Sequence, residues 1–237
     1  MQIILDPGHG GFDPGGGSNY IWREKDLTLK ISRYQKRRFD ELGISAVMTR
    51  TNDEFLPPNE RLQRVRDLSY INPPSILISN HINNSGSKGA EIIYSIRDDP
   101  TLPQMIGQEL RNAGQNIRNV YTRTTNSGND FYFIIRGPYE NVQAMIVEYG
   151  FADNAADQQI LINRWEDLAE AVVIAVTKYL GLQYTEPTFF IYRVQEGDSL
   201  YTIANRFNTT VQSIRENNGL VNNNLDVGQE LYIYPQW

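Results

Sequence analysis

Cysteine is absent from the 237 residues, which excludes disulfides, thiolate zinc fingers, iron–sulfur clusters and cysteine nucleophiles. Histidine is almost as scarce, with two copies, so site chemistry must rest on nitrogen and oxygen donors. Long apolar runs are missing too. The longest aliphatic stretch, Ala171 to Val176, falls far short of the roughly 20 residues that cross a bilayer, and no membrane insertion is expected. Met1 and Gln2 lead into only Ile3, Ile4 and Leu5 before Asp6-Pro7-Gly8 breaks the run. That start lacks the basic n-region and the about 7–15 apolar residues of a secretory signal, so the chain as given is expected to begin inside its first strand. An excess of positive charge is also lacking: 22 basic against 28 acidic residues give a net charge of −6, which argues against nucleic acid and anionic membranes as partners. What is present, 40% hydrophobic residues, suffices for a packed core and excludes general disorder.

Short apolar runs closed by turn residues alternate with helical periodicity over residues 1–182. This pattern predicts an α/β domain with a mixed, mostly parallel sheet flanked by helices on both faces. Strands are expected at Ile3 to Leu5, Ser45 to Thr49, Ile76 to Ser79, Ala90 to Ser95, Phe131 to Ile135 and Ala144 to Tyr149. Leu27, Ile31, Tyr34 and Leu42 share a helix face ahead of Gly43, predicting a helix from Glu24 to Leu42. Leu168, Val172, Ala175, Val176, Tyr179 and Leu180 predict a second one stopping at Gly181. A polar stretch around Pro187 marks a linker over residues 183–190. Beyond it, lysine disappears and seven asparagines occur. Residues 191–237 read as a small C-terminal βααβ module, with strands at Ile191 to Val194 and Glu230 to Tyr234 and helices at Ser199 to Phe207 and Val211 to Asn217. Without disulfides a module of this size must be compact and idealised.

Both histidines follow expected strands, His9 after Ile3-Ile4-Leu5-Asp6-Pro7-Gly8 and His81 after Ile76-Leu77-Ile78-Ser79-Asn80. Strand ends are where open α/β sheets place ligands. Either histidine alone is more readily a hydrogen-bonded loop residue than a ligand; the pair, with glycines around His9, points to a metal. The glycine-rich turn lacks the spacing of nucleotide-binding loops, and the close backbone approach it permits suits a metal ligand. Glu24, at a helix start, needs no explanation beyond the helix dipole. Glu148 sits inside the apolar run Met145-Ile146-Val147 and Tyr149-Gly150-Phe151. Burial would raise its pKa and make it a proton carrier, or it forms a buried ion pair with Arg50 or Arg136. Two imidazoles and a carboxylate are the ligand set of a hydrolytic zinc site, and a second carboxylate is what metal-assisted amide hydrolysis requires. Such a set also holds other divalent ions. The local HExxH pattern of other zinc hydrolases is absent, and spacing alone does not bring the four together.

Taken in order, Asp6-Pro7-Gly8-His9-Gly10-Gly11, Asp13-Pro14-Gly15, Glu24-Lys25, Thr49-Arg50, Ser79-Asn80-His81-Ile82-Asn83, Gly89-Ala90-Glu91 and Val147-Glu148-Tyr149-Gly150-Phe151 resemble the zinc-dependent N-acetylmuramoyl-L-alanine amidases of the amidase-3 family. The resemblance covers residues 1–182 and implies that His9, Glu24 and His81 bind one Zn2+, that Glu148 is the catalytic acid/base and that Asn83 contacts substrate. Ile82 and Asn84 stand where that family is often alanine-rich. Residues 191–234 are similar to a LysM module on Tyr192-Arg193-Val194, Glu196-Gly197-Asp198-Ser199-Leu200-Tyr201, Ile203-Ala204, Asn217 and Val227-Gly228-Gln229-Glu230-Leu231. This likeness implies binding of N-acetylglucosamine-containing glycan by Gly197, Asp198, Ser199 and Leu200 on one side and Asn218, Gly219 and Leu220 on the other. The glycines and Asp198 also suit turn and helix-cap chemistry alone.

The resemblance implies a peptidoglycan amidase that cuts between N-acetylmuramic acid and L-alanine, tethered to the same polymer by the tail. The rival expectations are a catalytically silent wall-binding protein and a zinc peptidase acting within the stem. With no export signal visible, a monomer made in the cytoplasm and reaching the wall after lysis or holin-type release is expected, as an endolysin or an autolysin would.

Overall fold

The computed structural model describes residues 1–137 and 141–236; Trp237, the last residue of the expected tail module, lies outside them. The chain divides into two compact units, Met1–Tyr184 and Thr185–Trp237. In the first, the elements run β1 (Gln2–Pro7), α1 (Glu24–Glu41), β2 (Ala46–Met48), α2 (Pro58–Ser69), β3 (Ser75–Asn83), β4 (Ala90–Tyr94), α3 (Thr101–Asn112), β5 (Ile117–Tyr121), α4 (Phe133–Arg136), β6 (Val142–Phe151), α5 (Ala155–Asn163) and α6 (Trp165–Tyr179). The second contains β7 (Phe190–Arg193), α7 (Leu200–Arg206), α8 (Val211–Asn218) and β8 (Glu230–Ile233).

The six strands of the large sheet lie in the order β2-β1-β3-β6-β4-β5. All neighbours are parallel except β4 and β6. Side chains of both parities are buried along the central strands, so the sheet is covered on both faces. Ile4, Leu77, Ile93, Ala144 and Ile146 join Val65 of α2 and Ile134 and Ile135 of α4 in one core cluster. The alternate residues, among them Ile3, Leu5, Ile76, Ile78 and Val147, are equally buried, and α6 packs against both α1 and α3.

A buried polar chain ties α1 to the sheet. Asn80 Nδ2 donates to Ser32 Oγ and Gln35 Oε1, each at 2.8 Å, and Tyr149 Oη donates to Asn80 Oδ1 at 2.8 Å. Because every member is satisfied, this network fixes the register of α1 on β3 and β6, and with it the position of Glu24 at the helix start.

The strand expected at Phe131 to Ile135 is not one. Residues 131–132 are a bend and Phe133–Arg136 form the short helix α4. An apolar run this short carries no periodicity to separate strand from helix, and Ile134 and Ile135 reach the core from one helical turn. The edge strand beside β4 is instead β5, with β2 at the opposite edge, and its Ile-Arg-Asn-Val-Tyr sequence is polar because an edge strand is half in solvent.

In the second unit β7 and β8 pair antiparallel. Val194, Leu200, Ile203, Ala204, Ile214, Leu231 and Ile233 form its core. A reciprocal cap between Ser199 and Thr202 starts α7, and Gly219, at φ 61°, ends α8 in the left-handed conformation that favours glycine.

Candidate metal centre and active site

The carboxyl ends of β1, β3 and β6 converge where the alternation of the sheet puts Asp6, Ser79, His81 and Glu148 on the α2–α4 face. His81 and Glu148 are direct register partners, and Glu148 is opposite Glu91 on β4. His9 arrives from the turn after β1 and Glu24 from the first residue of α1. Together with Phe55, Leu56 and the Tyr132–Ile134 segment, His9, His81 and Glu148 line a cleft of about 480 Å³.

One donor atom from each of His9, Glu24 and His81 lies within 4.8 Å of the others. His9 Nε2 is 3.2 Å from Glu24 Oε2, and His81 Nδ1 is 3.0 Å from Glu24 Oε1. Glu24 is 1% exposed and is held by two backbone donors, Gly17 N–H to Oε2 at 2.7 Å and Ile82 N–H to Oε1 at 2.9 Å. The other ring nitrogen of His9, Nδ1, is 2.8 Å from Asp13 Oδ2, while Asp13 Oδ1 accepts from Gly15 N–H at 3.1 Å. A carboxylate behind a histidine in this way fixes the ring and leaves Nε2 to face a metal. The donor set therefore fits a divalent cation, two imidazole nitrogens and a carboxylate oxygen facing one point.

The charge balance agrees. Burial opposes charge on His9, but the Glu24 and Asp13 carboxylates outweigh it and push its pKa up to about 9. Burial would raise Glu24, yet the two imidazoles hold it below the ordinary carboxylate range. The cluster thus favours positive charge at its centre.

Glu148 has a different environment. Its Oε2 is buried and has no hydrogen-bond partner among the described residues. Burial pushes its pKa up to about 7, with Glu24 and Glu91 adding to the rise and His81 opposing it. Neither arginine weighed as an ion-pair partner serves as one. Arg50 donates to the carbonyls of Pro7, Gly8 and Lys25, and Arg136 to those of Asp130 and Phe131. A partnerless buried carboxyl titrating near neutrality is suited to move a proton.

Three supports escape sequence reasoning. Asp13, four residues after His9, carries a local signal in its spacing. Arg61 and Asp6 do not. Arg61 Nη1 meets Asp6 Oδ1 at 2.9 Å and the Pro7 carbonyl at 2.8 Å, and its Nη2 meets the His9 carbonyl at 2.8 Å. These bonds hold His9 at φ 60°, a left-handed conformation unusual outside glycine. Burial raises Asp6, but Arg61 and the hydroxyls of Thr49 and Ser79 outweigh it and keep the carboxyl below its usual range.

Gly15, at φ 89°, folds over the cluster so closely that a Cβ there would strike the Glu24 carboxylate and the His9 ring. Gly15→Ala is expected to weaken metal affinity by about 10–100-fold, the range for disturbed supports of metal ligands. A competitive zinc titration against a chromogenic chelator measures it.

Asn83, expected to meet substrate, donates its amide to Glu91 Oε2 at 3.0 Å and accepts from Asn84 N–H at 2.8 Å. These two bonds orient the amide and leave its second N–H and second lone pair for a substrate contact. In the second unit, Gly197 takes a φ of 84° in a turn. Asp198 accepts from Tyr192 Oη at 2.5 Å and Gln195 N–H at 2.8 Å. Ser199 and Gly219 cap helices, Leu200 is core, and Leu220 packs on it. Asn218 exchanges hydrogen bonds with the backbone of Tyr232 at 2.9 and 2.7 Å. All seven residues thus have structural tasks, whatever they bind. Among the described residues no helix is long and apolar enough to cross a membrane.

Residues 3–178 match the family model for N-acetylmuramoyl-L-alanine amidase, and residues 192–233 match that for the LysM domain. A probable cell wall amidase, LytH of Staphylococcus aureus, is 26% identical over 183 residues, covering 76% of this chain and 58% of that protein. Cwp6 from Clostridium difficile superposes with a TM-score of 0.67 at 28% identity, over 75% of this chain and 29% of that one. The catalytic domain of CwlV, an N-acetylmuramoyl-L-alanine amidase from Bacillus (Paenibacillus) polymyxa, shares the fold at a TM-score of 0.66 and 22% identity, over 77% and 99%. The chain thus spans less than two thirds of LytH and under a third of Cwp6.

Proposed function

Because the chain belongs to the N-acetylmuramoyl-L-alanine amidase family and carries a LysM domain, we propose that it hydrolyses the amide between the lactyl group of N-acetylmuramic acid and L-alanine of the peptidoglycan stem. The reading rests on one observation above others: the partnerless carboxyl of Glu148 shares a cleft with the His9–Glu24–His81 cluster. Zinc held by those three side chains would polarise the attacking water and the scissile carbonyl.

The chain's own groups do the rest. Glu148 takes a proton from the water as its oxygen bonds to the carbonyl carbon, and returns a proton to the alanine nitrogen as the C–N bond breaks. The products are the lactyl carboxylate and a free amine. Asp13 keeps Nε2 of His9 turned inward, and Arg61 keeps the His9 backbone in its strained conformation. The LysM domain holds glycan through the loops that carry Gly197 to Leu200 and Asn218 to Leu220, which raises the local concentration of substrate. One chain carries the three metal donors and the acid/base, and the enzyme acts on the cell wall.

Product analysis tests this. Intact sacculi incubated with the zinc-loaded full-length protein should release peptides with a new N-terminal L-alanine and leave the glycan chains unshortened. Peptides lacking that terminus would mean cleavage within the stem, and no release would mean a wall-binding protein.

A further inference from the structure

The cleft is lined by three carboxylates, Asp6, Asp13 and Glu148, and by one arginine, Arg61, whose guanidinium is committed to Asp6 and to backbone carbonyls. Other cations nearby are committed as well: Lys25 to Asp53, Arg64 to Glu54 and Arg118 to Glu91. Apart from the metal cluster itself, which the scissile amide occupies, no uncommitted cation among the described residues of this cleft is left to pair with an anionic group of the substrate, and leaving such a group desolvated and unpaired is costly. One exposed arginine at its rim differs.

Arg123 lies at the base of a turn closed by the Thr124–Asp130 bridge and by Phe131 N–H donating to the Arg123 carbonyl at 2.8 Å. Its guanidinium sits 4.0 Å from the centre of the Phe131 ring, and Nη1 donates to Tyr132 Oη at 3.1 Å. Tyr132 in turn lines the cleft. No carboxylate is within ion-pair distance of Arg123 among the described residues. The acid closest in sequence within the turn, Asp130, faces away, accepting from Ser95 Oγ at 2.8 Å and Ile96 N–H at 3.0 Å. Stacking on one ring and bonding to the next holds the planar fork in place while leaving donors open, and an Arg fork matches a carboxylate in shape.

We propose that Arg123 is a specificity-determining residue that binds a free carboxylate of the stem peptide while the scissile amide lies at the metal cluster; the assignment rests on the amidase reading given above. The aromatic pair beneath the guanidinium lowers the entropy lost on binding, because the fork is ordered beforehand. Stems whose carboxylates are amidated forgo this contact.

The test uses the zinc-loaded full-length protein and two substrates, an N-acetylmuramoyl pentapeptide with its stem carboxylates free and the same compound with them amidated. Arg123→Gln should raise KM for the free acid roughly fivefold, the scale of a partly exposed charge pair, with kcat unchanged and the amidated compound unaffected. Arg123→Lys, which keeps the charge and loses the fork, should fall between. Equal effects on both substrates, or none on either, overturn the proposal while leaving the amidase reading intact. If the wild-type protein cuts neither compound, the amidase reading falls and this proposal with it.

Discussion

Glu148→Gln is expected to lower kcat by about 10²–10⁴-fold, the contribution of a positioned general acid/base, with zinc content unchanged and thermal stability the same or slightly higher. Most buried carboxylates cannot be replaced so quietly, because their partners are stranded. Here Oε2 has no partner to strand. The amide keeps the shape of the side chain and leaves the β6 pairing with His81 and Glu91 untouched, while a carboxyl whose pKa burial has pushed up to about 7 is one the fold tolerates rather than needs. Steady-state kinetics on a muramoyl peptide, elemental analysis and a melting curve of the same preparation decide it. A variant that melts lower and loses zinc in step with activity would assign Glu148 a structural role instead.

Glu148 was conspicuous in the chain because it interrupts an apolar run, where an ionisable group either finds a partner or serves a reaction; the residues alone left both open. His9 and His81 were legible for a related reason: each ends a strand, and a parallel sheet gathers strand ends on one edge. Glu24 was not legible from local features, since a carboxylate at a helix start is ordinary; its place under both imidazoles follows from the Ser32–Gln35–Asn80–Tyr149 network that sets α1 on the sheet. Asp6 and Arg61 meet across 55 positions, a contact that exists only once α2 has packed on β1. The apolar segment from Phe131 misled for the opposite reason. Its residues serve two surfaces, Ile134 and Ile135 toward the core and Phe133 toward solvent at the cleft, and one short helical turn meets that demand as a strand would. The polarity of β5 hid it, as expected of an edge. In the second unit turn and cap chemistry is visible in the residue types themselves, and the bonds that realise it engage polar groups of the residues expected to meet glycan.

The cluster itself yields the second large effect. Dialysed wild-type protein is expected to hold one zinc per chain and His81→Ala essentially none. Removing one of three protein donors leaves His9 and Glu24, too few to complete a tetrahedral site that still admits water. Folding should survive, because His81 is exposed to the cleft on one side and Glu24 keeps its bonds from Gly17 and Ile82. The two proteins should therefore differ in their response to a chelator. A ligand that binds only the folded state stabilises it by about 4 kcal/mol when present at 1,000 times its Kd, so EDTA should lower the melting temperature of the zinc-loaded wild type by several degrees and leave the variant where it was. Activity loss alone would not separate a missing ligand from a displaced substrate; the chelator response does. If His81→Ala retains a full complement of zinc and still melts lower with EDTA, the metal is held elsewhere and Glu148 has no reaction to serve at this cleft.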